Sequence, residues 1–236
     1  MDVHLLLTVG SMAAAAALAL GQHAPDAPGI DHILLGAADL DRAVAQVAEA
    51  TGVQPVYGGK HPRGTHNALL ALGGRTYLEI IALQPGVERL ADFPDLRGVD
   101  RPVPIDWAVT GRDMTSLRDR LKTHGFQLAP AAPGSRAAPD GTTLRWESTR
   151  VENSPSQAPF FIAWSPDTPH PSTTAPAGCT LARFRIGSPD AAALKRMLSA
   201  LDITAEVEET AAPEFLLALD CPKGRVTFTS GQPIKG

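Results

Sequence analysis

Three times along this 236-residue chain, an apolar stretch ending in glycine leads into a helical pattern and then into short strand-like runs. A unit repeated in this way must bury its faces against its own copies, which narrows the folds open to the chain. The first copy opens Ile30-Asp31-His32-Ile33-Leu34-Leu35-Gly36. Leu40, Val44 and Val47 then fall on one helical face before Gly52 stops it. Strand-like runs follow at 54–57, 66–72 and 76–83, parted by Gly58-Gly59 and Gly73-Gly74.

The second copy opens Ile105-Asp106-Trp107-Ala108-Val109-Thr110-Gly111 and continues with Leu117 and Leu121 before Gly125. Its runs are Gln127-Leu128, 143–151 and 159–164, interrupted by a Pro/Ala-rich loop at 129–141 and another at 153–158. The third opens Leu181-Ala182-Arg183-Phe184-Arg185-Ile186-Gly187, then Pro189 and Leu194, Leu198 and Leu201. Its runs are 204–208, 214–219 and 225–229, with Cys221-Pro222-Lys223-Gly224 as a turn.

Each copy reads as β-α-β-β-β. The pattern predicts an α+β fold of tandem βαβββ modules, whose curved mixed or antiparallel sheets form half-barrels with the helices outside and a ligand on the concave face. The modules span 29–86, 104–165 and 179–232, joined by Pro-rich linkers at 87–103 and 166–178. A third module has no intrachain partner in this scheme, which leaves the oligomeric state open between a monomer and a homodimer formed through its exposed face.

A chain that is 44% hydrophobic can bury a substantial core without disulfides. A net charge of -4 provides no basic stripe for phosphates, which argues against a nucleic-acid partner. Cys179 and Cys221 have neither CxxC nor zinc spacing. Two buried reduced thiols are expected, although both lie in one module and could meet. Residues 1–28 form a leader-like or disordered segment: 5–20 is apolar and Ala17-Leu18-Ala19 resembles a cleavage site. The first basic residue is Arg42, so the charged region that orients a signal is missing. That favours the cytoplasm, with export as the alternative, and the run is too short for a stable membrane span. No GxSxG, P-loop, dinucleotide or HExxH motif is present.

A βαβββ repeat that begins Ile30-Asp31-His32 and carries Glu79 in its last strand resembles the vicinal oxygen chelate superfamily of glyoxalases, ring-cleaving dioxygenases and antibiotic-resistance proteins. The stretches 61–69, 77–81, 159–164 and 168–171 are similar to a glyoxalase-like branch of it. The resemblance implies a divalent metal held by His and Glu from the first and last strands of two modules, with open positions for a chelating substrate. His32 and Glu79 match one half of that set; Trp107 and Ile162 or Ala163 stand where the other half would be. His66, Glu147 and His170 are the available substitutes.

His32 and Glu79 are therefore the candidate catalytic and metal-binding pair, and without metal the same pair could serve as a general base. His61, Arg63, His66 and Asn67 form a polar cluster suited to a substrate carboxylate or phosphate, or else a surface turn. Strand alternation turns His66 and Asn67 to opposite faces, so at most one looks into the cup. Trp107 and Trp164 read as an aromatic wall or as plain core. His170, between two prolines, reads as a fixed pocket residue or a boundary turn. Arg183 occupies the third module's His position, which argues against a metal role there. The resemblance implies a lyase, isomerase or dioxygenase acting on a small oxygenated or carbonyl-containing molecule. Its rival is a binding protein that sequesters a small molecule in the same cup.

Overall fold

The computed structural model describes residues 29–230 apart from 92 and 112. The leader-like segment 1–28 lies outside the described residues. Twelve strands and four helices run in the order β1 (Ile30–Gly36), α1 (Leu40–Thr51), β2 (Val56–Lys60), β3 (Thr65–Ala71), β4 (Tyr77–Leu83), β5 (Val103–Thr110), α2 (Met114–Thr123), β6 (Ala132–Ala137), β7 (Thr143–Thr149), β8 (Phe160–Trp164), α3 (Pro171–Thr174), β9 (Thr180–Ser188), α4 (Ala191–Ala200), β10 (Glu206–Glu209), β11 (Glu214–Cys221) and β12 (Gly224–Thr229). The fold is α+β, as the repeat predicts. Among the described residues no helix is long and apolar enough to cross a membrane.

Local chemistry sets the helix ends. Asp39 accepts from the Arg42 amide to start α1, and Gly52, at φ +78°, closes it in the left-handed conformation that a side chain would resist. Leu40, Ala43 and Val47 on its inner face are buried against the barrel. Asp113 caps α2 by accepting from the Thr115 and Ser116 amides.

The first two modules merge into one eight-stranded sheet of order β2-β3-β4-β1-β5-β8-β7-β6. Within each module the first and last strands run parallel, β1 with β4 and β5 with β8. The first strands of the two modules, β1 and β5, meet antiparallel at the centre. The two ends of the sheet curl until they touch. Arg136 on β6 donates a short hydrogen bond to the Gly58 carbonyl on β2. A Cβ at Gly59 would lie 2.2 Å from the Ala137 carbonyl, and Gly59 sits at φ +142°, so the seam closes only around glycine. The result is a nearly closed barrel rather than two separate half-barrels.

The second strand of the second module is displaced from its expected place. Gln127-Leu128 contributes one isolated bridge, Leu128 to Val151, and β6 forms instead within the segment read as a Pro/Ala-rich loop. An edge strand can hold Pro133 and Gly134 because one side of its ladder needs no donors. Such a strand carries no apolar alternation to betray it.

The third module repeats the element order but pairs its strands differently, β10-β9-β11-β12. Its sheet lies over the outside of the β1–β5 seam, where Phe184 meets the Trp107 ring edge-on at 5.6 Å. Phe184, Ile186, Phe215, Leu217 and Leu219 join one continuous core with the barrel's outer face and the helices. The opposite face carries ion pairs, Arg183 with Glu206 and Arg185 with Glu208 and Glu214. A sheet apolar on one side and charged on the other is complete within its own chain.

The expectation of reduced thiols is also overturned, because Cys179 and Cys221 are joined by a disulfide. β9 and β11 pair with Thr180 opposite Asp220, so the residues just beyond them face one another, with Cα atoms 4.2 Å apart.

Candidate functional site

The inner face of the barrel holds a connected polar cluster. A register shift between Ile30 and His32 lets consecutive residues of β1 both engage it. The His32 ring lies between two carboxylates: Nδ1 is 2.8 Å from Asp31 Oδ1 and Nε2 is 3.3 Å from Glu79 Oε2. Asp31 is fully buried and also accepts from the Trp164 indole at 3.2 Å, from Thr110 at 3.2 Å, and from His170 Nε2 at 3.1 Å. His170 caps α3 and is fixed through Nδ1 by Ser172, 2.8 Å away.

On the other side of Glu79, Asn67 Nδ2 donates to Oε1 at 2.7 Å, and His61 Nε2 stands 3.9 Å from the same oxygen. His61 is oriented by Thr65 Oγ1, 2.8 Å from its Nδ1. Aromatic rings enclose the cluster: Tyr77 stacks on His32 at 4.6 Å, Phe160 meets its edge at 5.3 Å, and Trp146 lies against both His61 and Trp164. His61, with 16% of its side chain exposed, is the most accessible of the cluster's imidazoles and carboxylates.

These surroundings drive the two imidazoles beside Glu79 apart. Burial opposes a charge on His32, but the hydrogen bond and charge of Asp31, joined by Glu79, outweigh it and raise its pKa. Burial lowers the pKa of His61, and the attraction of Glu79 does not offset this, with Arg136 and His32 adding repulsion. Asp31 would be pushed up by burial alone, yet hydrogen bonds from His170 and His32 hold it well below the usual carboxylate range. Burial, then the charges of Glu79 and Asp31, raise the Tyr77 phenol well above its ordinary value.

Of the residues singled out in the sequence, the fold brings together His32, Glu79, His61, Asn67, Trp164 and His170. Four others lie elsewhere. Trp107 pairs with Ile33 on the outer face, where it is core packed on Phe184 and its indole donates to the Gln157 carbonyl. Arg63 is exposed in the turn before β3. His66 faces away from the interior and lines an outer groove of about 660 Å³ with Asp39, Gln84 and Arg97. Glu147 is exposed, alternating with the inward Trp146. The repeat alignment placed Trp107 opposite His32's role, but the register shift in β1 makes Ala108 the residue paired with His32.

This arrangement does not fit a divalent ion. Among the described residues no group of three or more His, Cys, Asp or Glu is placed to hold one. Both nitrogens of His32 face carboxylates, His66 and Glu147 are outside, and His170 points to Asp31. In the second module Ala108 and Ile162 stand at the positions corresponding to His32 and Glu79, and Asp106, two residues along β5 from Ala108, is ion-paired with Arg150. The metal assignment drawn from the sequence, His32 and Glu79 with His66, Glu147 or His170 in support, therefore has no complete ligand set among the described residues.

Sequence reasoning missed Asp31, Tyr77, Trp146, Phe160 and Arg136. Tyr77 was legible, since period two from Glu79 puts it on the same face. Asp31 was not, because only an irregular strand lets it share the interior with His32.

Residues 30–201 match a family described as a glyoxalase-like domain. No curated protein matches the sequence. Among solved structures, a hypothetical protein from Staphylococcus aureus is 15% identical, covers 86% of this chain and 85% of its own, and superposes with a TM-score of 0.60. Methylmalonyl-CoA epimerase from Mycobacterium tuberculosis is 22% identical over 58% of this chain and 89% of its own, TM-score 0.42. A mutant of 4-hydroxymandelate synthase from Streptomyces coelicolor is 17% identical over 86% of this chain and 62% of its own, TM-score 0.46. The first likeness supports the fold; the other two are too distant to bear on activity.

Proposed function

Because this chain belongs to the glyoxalase-like domain family, we propose that it is an enzyme that moves a proton on a small carbonyl-containing molecule, using its own side chains. One observation carries the reading: Glu79 lies between two imidazole Nε2 atoms, His32 at 3.3 Å and His61 at 3.9 Å, whose surroundings favour opposite protonation states. Groups of one chemical type driven apart in this way supply an acid and a base at the same pH.

His61, neutral and the more accessible, takes the proton from the carbon beside the carbonyl. The C–H electron pair becomes the enol double bond, and the carbonyl π pair moves to oxygen. Glu79 delivers a proton to that oxygen and is replenished from His32, whose charge Asp31 sustains. Reversal returns the proton to the carbon it left or, in a hydroxy ketone, to the former carbonyl carbon, which is isomerase chemistry. Tyr77, Phe160 and Trp146 keep water from the enol.

Proton exchange tests this directly. The full chain, incubated in D2O with a panel of small ketones, oxo acids and hydroxy ketones, should wash deuterium into the position beside the carbonyl. His61→Ala and Glu79→Gln should each slow that exchange by roughly 100-fold or more, the usual worth of a positioned acid or base. Exchange that is absent, or as fast in both variants as in the parent, would sink the reading. Binding without turnover is favoured by the paired Trp146 and Trp164 rings, 5.4 Å apart, which suit a flat ligand. It predicts tryptophan quenching by a compound whose protons do not exchange.

A further inference from the structure

We infer that the molecule taken into the barrel carries a carboxylate beside its carbonyl, as a 2-oxo acid does, and that Arg136 receives it. This deepens the proton-transfer reading and rests on it.

Arg136 is a buried cation with too few partners. On β6 it shares the inward face with Gly134, which pairs with the inward Trp146. It is 5% exposed, yet among the described residues its one hydrogen bond goes to the Gly58 carbonyl across the seam. Among the described residues no carboxylate lies within ion-pair distance of it. A guanidinium has five N–H donors in a planar fork, and arginine is rarely buried unless paired.

The interior's own carboxylates are already engaged, Asp31 by two imidazoles and an indole, Glu79 by His32 and Asn67. A seam contact needs one N–H, and a neutral donor would supply it. The rest of the fork matches a carboxylate in two parallel hydrogen bonds. The charge of Arg136 is felt at both His61 and Tyr77, which places it near the polar cluster.

A second observation points the same way. Asn67 Oδ1 is buried without a hydrogen-bond donor, while its Nδ2 is spent on Glu79. A lone buried acceptor is costly, and it suits a ligand that brings an O–H. Gly58 lies beside both groups: its carbonyl takes the Arg136 bond, and a Cβ on it would come within 2.4 Å of Asn67 Oδ1. Enolisation of a 2-oxo acid creates a hydroxyl next to the carboxylate. One molecule would thus fill both needs.

The test compares pyruvate and 2-oxobutyrate with their neutral amides in the same deuterium exchange assay. The intact chain should favour each acid over its amide by 10-fold or more in kcat/KM. In Arg136→Gln that preference should collapse by roughly 10- to 100-fold, chiefly through KM, the scale of a lost hydrogen bond to a charged group. Arg136→Lys should keep part of it. Oxalate, which cannot enolise, should compete with the acids and raise the melting temperature of the intact chain. Equal exchange of acid and amide overturns this inference and leaves the proton-transfer reading standing. Stabilisation by oxalate that Arg136→Gln abolishes, with no exchange on any compound, supports the anion site and overturns the enzyme. Neither exchange nor oxalate stabilisation overturns both. Should Arg136→Gln fail to fold, the acid-to-amide ratio and the oxalate response of the intact chain decide the matter.

Discussion

Asp31 shows how a single buried side chain can sustain the charge on its neighbour. Its folded pKa is depressed, so the stability it contributes is present above the ordinary carboxylate range and lost as pH falls from there through the folded value. His32 behaves in the opposite sense: its raised pKa adds stability below about 6.5, which is lost as pH rises through the folded value. The cluster is therefore strongest between these limbs. Asp31→Asn leaves the imidazoles of His32 and His170 without their shared anion, and should cost about 3–5 kcal/mol near pH 5–6. It should also flatten both limbs, as urea unfolding at pH 3 to 9 would report. A variant that parallels the parent across that range would show that Asp31 does not hold the charge on His32. His32 and Glu79 were legible through the family resemblance, which implies a His in the first strand of a module and a Glu in its last. Asp31 was not, since alternation assigns it to the face opposite its neighbour.

At the level of elements, the sequence revealed strands wherever burial imposes a pattern and failed where a strand is small and at an edge. β1, β4 and β5 are apolar runs bounded by turn residues, and they lie where the repeat placed them. β6, with Ala132, Pro133, Gly134, Ser135 and Arg136, has no such pattern, yet it closes the barrel and delivers Arg136. Its partner β2 meets it only because Gly59 lacks a side chain. Gly59→Ala would combine a Cβ 2.2 Å from the Ala137 carbonyl with a backbone angle of +142°. A loss of about 2–3 kcal/mol is expected, in keeping with strain at such a position, together with altered fluorescence from Trp146 beside the seam. An unchanged melting temperature and spectrum would show that the two edges do not need to touch.

The disulfide belongs to this scale as well. It ties the start of β9 to the end of β11 across 42 residues. Closing a loop of that length stabilises by about 4 kcal/mol on chain-entropy grounds. Cys179→Ser/Cys221→Ser should therefore lower the melting temperature, and reduction of the parent should do the same. Equal stability with and without the bond would show that β9 and β11 hold their register by pairing alone.

For the molecule as a whole, the question is whether three sequence repeats make three units or one. Repeats with separate cores would unfold separately, yet Leu35, Val47, Trp107, Phe161, Phe184, Leu194 and Phe215 belong to one uninterrupted core. The sequence could not show this, because the same apolar pattern serves a module packed on its own helix and one packed on a neighbour. Trp107 is the joint: fully buried on the outside of the barrel, it meets Phe184 of the third sheet and donates to the Gln157 carbonyl. Calorimetry of the intact chain should give a single transition whose calorimetric and van't Hoff enthalpies agree. Trp107→Ala should cost about 3–5 kcal/mol and leave a cavity facing both sheets. If the joint couples them, the variant still melts once, at a lower temperature, because the loss is shared. Two transitions in the parent would mean that the third sheet is an appended domain, and the polar interior could then be studied in a shorter chain without it.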